Sequence, residues 1–131
     1  MMKTLAFFFA LIFSISALAQ EKKPDTGTKA PEMKEYFFVM LKRGINRSQD
    51  SVTAEKLQAG HMAHMQKMAN DGKLAIAGPF GDDGDWRGIF IFKTKTIDEA
   101  RALVEKDPMI IAGRLTYEIH PWWTMKGATL D

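Results

Sequence analysis

Tyr36-Phe37-Phe38-Val39-Met40-Leu41 is the stretch on which the fold turns. The run, flanked by Lys34 and Lys42, has the length and the aromatic and aliphatic content of a strand. A strand with one face in water alternates apolar and polar residues, and this one does not. Ile89-Phe90-Ile91-Phe92 repeats the behaviour further along the chain. Sheet strands of this kind predict cover on both faces.

The remaining elements fall on either side of these two runs. Gly44 to Asp50 breaks the first strand, and from Thr53 to Asp71 the residues Ala54, Leu57, His61, His64, Met65 and Met68 recur at three and four positions. That spacing predicts a helix, with Thr53 as N-cap and Gly72 at the C′ position. Lys73 to Ala77 and Gly88 to Lys93 read as strands two and three, joined by Gly78-Pro79-Phe80-Gly81-Asp82-Asp83-Gly84-Asp85. Thr96-Ile97-Asp98-Glu99 is a capping box that opens a second helix through Lys106. Arg114 to Ile119 completes the set as a strand that continues into Pro121, Trp122 and Trp123.

The order is βαββαβ, an α+β ferredoxin-like sandwich with a four-stranded antiparallel sheet. Two helices cover one face only, so the doubly apolar strands predict that a second copy covers the other. The expected assembly is a homodimer joined sheet to sheet.

Outside this domain, spanning 34–125, the amino terminus has another character. Met1 to Lys3 gives a short positive start, Leu5 to Leu18 is apolar, and Ala17-Leu18-Ala19 fits a cleavage site before Gln20. This is the pattern of a secretory signal peptide over residues 1–19. The alternative, a membrane anchor, suffers from an apolar stretch shorter than the ~20 residues a bilayer helix needs. Residues 20–33, rich in Lys, Pro, Thr, Gly and Glu, read as a flexible linker. The mature product is expected to be periplasmic or secreted, with no membrane association after cleavage.

Composition narrows the chemistry. The 131 residues include no cysteine, which excludes a disulfide scaffold, a thiolate metal site and a cysteine nucleophile. The formal charge of +2 falls by one lysine when the signal is removed, and no basic cluster interleaved with aromatics marks a nucleic-acid face. No nucleic-acid partner is expected.

Only three histidines are present. His61 and His64 lie on the apolar stripe of the first helix, and His120 ends the last strand. Two imidazoles at i, i+3 are too few for a catalytic zinc site, and Met62 stands where a zincin helix has its Glu, so no metal is expected. A histidine on an apolar face is costly without a partner for its ring nitrogens. Asp107, before Pro108, is the candidate partner of His61. From the residues alone it reads first as the N-cap of a short helix over Met109 to Ala112, with Pro108 at N1 and Gly113 as terminator. Gly78 and Pro79, together with the acidic Asp82, Asp83 and Asp85, form either a ligand-cradling turn or a solvated connection. Trp86 and Trp122 would either line a pocket or serve as packing and dimer contacts.

Taken together, Gly60-His61-Met62-Ala63-His64-Met65, Asp71-Gly72-Lys73-Leu74, Ala77-Gly78-Pro79-Phe80, Gly88-Ile89-Phe90-Ile91-Phe92, Asp107-Pro108-Met109 and Ala112-Gly113 resemble the YCII-related (YciI-like) family. The resemblance spans roughly Lys34 to Trp122. It implies a ferredoxin-like fold paired into a dimeric α+β barrel, with an active site built from a helix-one histidine and the Asp-Pro aspartate, here His61 and Asp107. Relatives in that superfamily include muconolactone isomerases, and one branch dehydrochlorinates chlorinated hydroxyquinols. The family is commonly cytoplasmic, so an export signal is a departure. The implied activity is proton transfer by His61 on a small aromatic or lactone substrate, of isomerase or lyase type, with neither metal nor cofactor. Gly78, Pro79, Trp86 and Trp122 are the expected substrate contacts. A binding module without turnover and a purely structural dimer are the alternative functions.

Overall fold

In a computed structural model, which describes residue 27 and residues 29–131, four strands form one antiparallel sheet with three helices on one face. The elements are β1 (Met33–Arg43), α1 (Ser51–Asn70), β2 (Leu74–Pro79), β3 (Trp86–Phe92), α2 (Ile97–Val104), α3 (Pro108–Ile111) and β4 (Leu115–Met125). The signal peptide expected over residues 1–19 lies outside the described residues. So does most of the expected linker, but its end is tied down. Met33 already pairs with Met125, and Lys126 bonds Glu32 through both its backbone N–H and its ammonium.

The sheet order is β2-β3-β1-β4, all neighbours antiparallel, as a ferredoxin-like α+β domain requires. β1 is central and sorts its side chains by parity. Phe37, Val39 and Leu41 are buried under the helices with Leu74, Phe90, Phe92 and Leu115; Met68, Ala100, Val104 and Met109 descend onto them. The opposite parity puts Tyr36, Phe38 and Met40 on the outer face, beside Ile89 and Ile91 of β3 and Trp122 of β4. The continuous apolar runs thus resolve into two apolar faces, of which one is filled by helices.

Several boundaries differ from the sequence reading. Asp50 rather than Thr53 is the N-cap of α1: its carboxylate accepts from the Thr53 N–H at 2.7 Å. These bonds to Thr53 hold the Asp50 carboxyl below its ordinary range. An ionised cap three positions earlier lets the helix start at Ser51. β2 and β3 extend through Gly78-Pro79 and Trp86-Arg87, which shortens their connection to residues 80–85. α2 stops at Val104, two residues before Lys106. β4 runs past Ile119 to Met125 because it pairs β1 along its whole length, and Pro121 is tolerated because β4 is an edge strand. The terminating glycines behave as expected, Gly72 with φ 70° and Gly113 with φ 69°.

Candidate active site

The capping box at Thr96 sets the level of α2, and the chain then turns at Asp107 into α3. Asp107 has no exposed surface, and its two carboxylate oxygens do different work. Oδ1 accepts from the Met109 N–H at 2.9 Å and so caps α3; Oδ2 accepts from His61 Nδ1–H at 2.6 Å. The two readings of Asp107 are therefore both realised by one side chain. Because a carboxylate only accepts, Nδ1 carries the proton and Nε2 is left as the second working nitrogen.

His61 is held by more than this bond. Its ring stacks on Phe90 with centroids 6.0 Å apart and planes 25° apart. Gly60 precedes it where α1 meets α3: a Cβ there would stand 3.0 Å from Pro108 Cγ. A hydrogen at this position permits the helix approach that brings His61 to Asp107. The residue is 8% exposed, no polar side-chain atom buried among the described residues lacks a hydrogen-bond partner, and Nε2 has none, so Nε2 faces open space.

That space is a cleft of about 650 Å³ on the helix side of the sheet. Ala54, Glu55, Gln58, His61, Met62 and Met65 of α1 form one wall; Leu41, Ala77, Gly88, Phe90 and Leu115 contribute from the sheet. Gly78 and Pro79 line it too. Trp86 and Trp122 do not. Trp86 pairs with Lys42 and Trp122 with Tyr36, both outer-face positions, and they are 57% and 40% exposed. A strand's period of two, unbroken in β1, places them across the sheet from the cleft. Trp86 packs instead near Phe80 at 6.0 Å and Trp122 near Tyr36 at 6.3 Å.

The other histidines take separate places. His64, half-buried, donates Nε2–H to the Leu103 carbonyl at 2.7 Å and ties α1 to the last turn of α2. His120 is exposed and pairs with Phe38 on the outer face. Among the described residues no three of His, Cys, Asp and Glu converge as metal ligands would, and no helix is long and apolar enough to cross a membrane.

Arg47, Arg87 and Arg114 also line the cleft, and sequence reasoning had not singled them out. The signal was present in the topology. β3 and β4 both run antiparallel to β1, so residues at their beginnings return to the end of β1. The loop after β1 is stitched to the α3–β4 junction by Asn46 N–H to Gly113 O at 3.1 Å and Gly44 N–H to Arg114 O at 3.0 Å. Of the acidic loop, Asp83 is engaged: it accepts from Arg43 at 2.6 Å and Arg87 at 3.0 Å, and these two guanidinium groups hold its carboxyl below the ordinary range.

A single sheet, two principal helices and a buried His–Asp pair opening on a cleft define a compact α+β domain with acid–base potential. The chain belongs to the YCII-related domain family, whose pattern matches residues 36–123. Among solved structures it is similar to 5-chloro-2-hydroxyhydroquinone dehydrochlorinase (TftG) from Burkholderia phenoliruptrix AC1100, determined in complex with 2,5-dihydroxybenzoquinone. The identity is 23%, the TM-score 0.48, and the alignment covers 66% of this chain and 92% of that one. No curated protein matches the chain.

Proposed function

We propose that the protein is a small enzyme in which His61, oriented by Asp107, moves a proton on a small organic substrate bound in the cleft. The observation that carries this reading is the 2.6 Å Nδ1–Oδ2 bond with Nε2 directed at open space. A fixed tautomer presents a lone pair at Nε2 to the substrate, and the buried carboxylate compensates the imidazolium formed when Nε2 takes a proton from carbon next to a carbonyl. Returning that proton to a different carbon is isomerisation; losing a leaving group from the carbanion is elimination. A positioned acid–base group of this kind supplies ~10²- to 10⁴-fold in rate. Gly78 and Pro79 are the substrate contacts of this reading, supported by their position in the cleft lining. The test is turnover of a lactone and hydroxyquinol panel by the protein and by His61→Gln; activity that survives the substitution refutes the reading.

The working unit of this reading is a homodimer joined through the outer sheet faces. Tyr36, Phe38, Met40, Ile89 and Ile91 support it, with Trp86 and Trp122 as contacts at its margins. Light scattering at micromolar concentration should give twice the chain mass, and a monodisperse monomer contradicts the pairing. The reading also includes export, supported by the amino-terminal sequence. Protein recovered from an exporting host should then begin at Gln20, and an intact Met1 start contradicts it.

A further inference from the structure

The cleft that His61 faces is lined by three guanidinium groups and one carboxylate, Glu55. Compensation among the three is uneven. Arg87 has an acidic partner, its Nη1 lying 3.0 Å from Asp83 Oδ1. Arg47 and Arg114 have no carboxylate within ion-pair distance among the described residues. Arg47 donates to the Arg114 carbonyl at 3.1 Å, and Arg114 donates to the Gln49 side-chain oxygen at 3.1 Å. Both are half-buried, and each of these bonds uses one of several N–H donors on a planar fork. Burial first, and then the like charges of Arg114, Arg43 and Arg87, pull the Arg47 pKa below its ordinary value, with Asp83 opposing. Partly desolvated cations that repel one another and rest on neutral acceptors leave a deficit of negative charge.

We infer that the cleft takes a small organic carboxylate, its carboxylate held by Arg47 and Arg114 and its apolar body laid against Met62, Met65 and Phe90. A planar carboxylate matches the guanidinium fork, and the mainly apolar remainder of the lining suits one such group on a hydrocarbon or aromatic body rather than a strongly hydrated dianion. The inference deepens the proton-transfer reading, on which the facing of a substrate carbon toward His61 rests. The carboxylate subsite itself does not depend on catalysis.

Benzoate and benzamide share shape and differ in charge, so titrating each into the protein at low salt and neutral pH isolates the anion. Benzoate should bind about tenfold or more tightly than benzamide, since a charge-assisted bidentate contact is lost in the amide. Arg47→Gln and Arg114→Gln should each erase most of that preference while benzamide binding stays unchanged, and the exposed Lys67→Gln should erase none of it. Should one glutamine variant fail to fold by circular dichroism, Arg47→Lys, which keeps the charge and removes the fork, takes its place and should lose part of the preference. His61→Gln should retain benzoate affinity, which supports a subsite independent of catalysis; benzoate preference in a protein that turns nothing over leaves the subsite standing and counts against the proton-transfer reading alone. Equal affinity for the two probes, binding of neither, or folded arginine variants that discriminate like the parent would overturn the inference.

Discussion

Replacing Asp107 separates its two tasks. Asp107→Asn keeps an oxygen for the Met109 N–H, so the cap on α3 survives, but turns an amide N–H₂ toward His61 Nδ1. Two donors cannot face each other at 2.6 Å. The imidazole must present Nδ1 as acceptor, which moves its proton to Nε2, and the nitrogen facing the cleft becomes a donor. Asp107→Ala removes both acceptors. Losing the cap costs about 1 kcal/mol, and stranding a buried donor on His61 adds about 1–3 kcal/mol. The alanine variant should therefore be less stable by about 2–4 kcal/mol, and the asparagine variant by about 1 kcal/mol, the difference between a charge-assisted and a neutral hydrogen bond. For a domain of this size each kcal/mol shifts Tm by about 4–8 °C. Denaturant unfolding of the three proteins measures the stabilities, and nitrogen-15 correlation spectra of the imidazole report the tautomer directly. Equal stability of the alanine variant and the parent, or an Nδ1–H tautomer retained in Asp107→Asn, would refute the division of labour assigned to this carboxylate.

Gly60→Ala gains the helix propensity of alanine, about 1 kcal/mol, yet sets a Cβ 3.0 Å from Pro108 Cγ. It should be net destabilising and should lengthen the His61–Asp107 contact; a rise in unfolding free energy by the full propensity gain would show that the close approach constrains nothing. His64→Ala should cost about 1 kcal/mol through its lost bond to Leu103 O while leaving ligand binding in the cleft untouched, checked by denaturant unfolding beside a binding titration. The Asp83 carboxyl is depressed by Arg43 and then Arg87, so its pairing supports the fold above the ordinary value of 3.8 and is lost as pH falls through the lower folded value. Arg43→Ala should bring the Asp83 titration, followed by NMR, back toward 3.8; an unchanged midpoint would remove Arg43 as the cause.

The two apolar runs carried most of the fold because parity in a strand is strict. Phe37, Val39 and Leu41 can face only one way and Tyr36, Phe38 and Met40 only the other, so the βαββαβ order and the one-sided helix layer were legible without coordinates. Boundaries were less so. The N-cap of α1 falls on Asp50 because a carboxylate in extended backbone outcompetes a threonine that can itself be the capped donor. His61 was legible because a histidine on an apolar stripe demands a partner, and the family resemblance pointed to Asp107 as that partner, although spacing along the chain could not show that one carboxylate both caps α3 and holds the ring. The arginines escaped notice because each looks like a solvated residue at an element boundary. Their convergence is a property of antiparallel pairing, which returns the starts of β3 and β4 to the end of β1. Trp86 and Trp122 illustrate the reverse: large aromatics, one beside the glycine-rich turn and one at the end of the last strand, fitted a pocket as well as packing or dimer contacts, and their register assigns them to the other face.

Acid–base action at His61 Nε2 is tested most directly by hydrogen exchange into substrate carbon. In deuterium oxide the protein should catalyse incorporation of deuterium at the acidic carbon of a muconolactone or related keto or lactone acid, read by proton NMR. His61→Gln should lose that catalysis by ~10²-fold or more while it stays folded by circular dichroism and keeps its benzoate affinity. Exchange by His61→Gln at the rate of the parent would contradict the account.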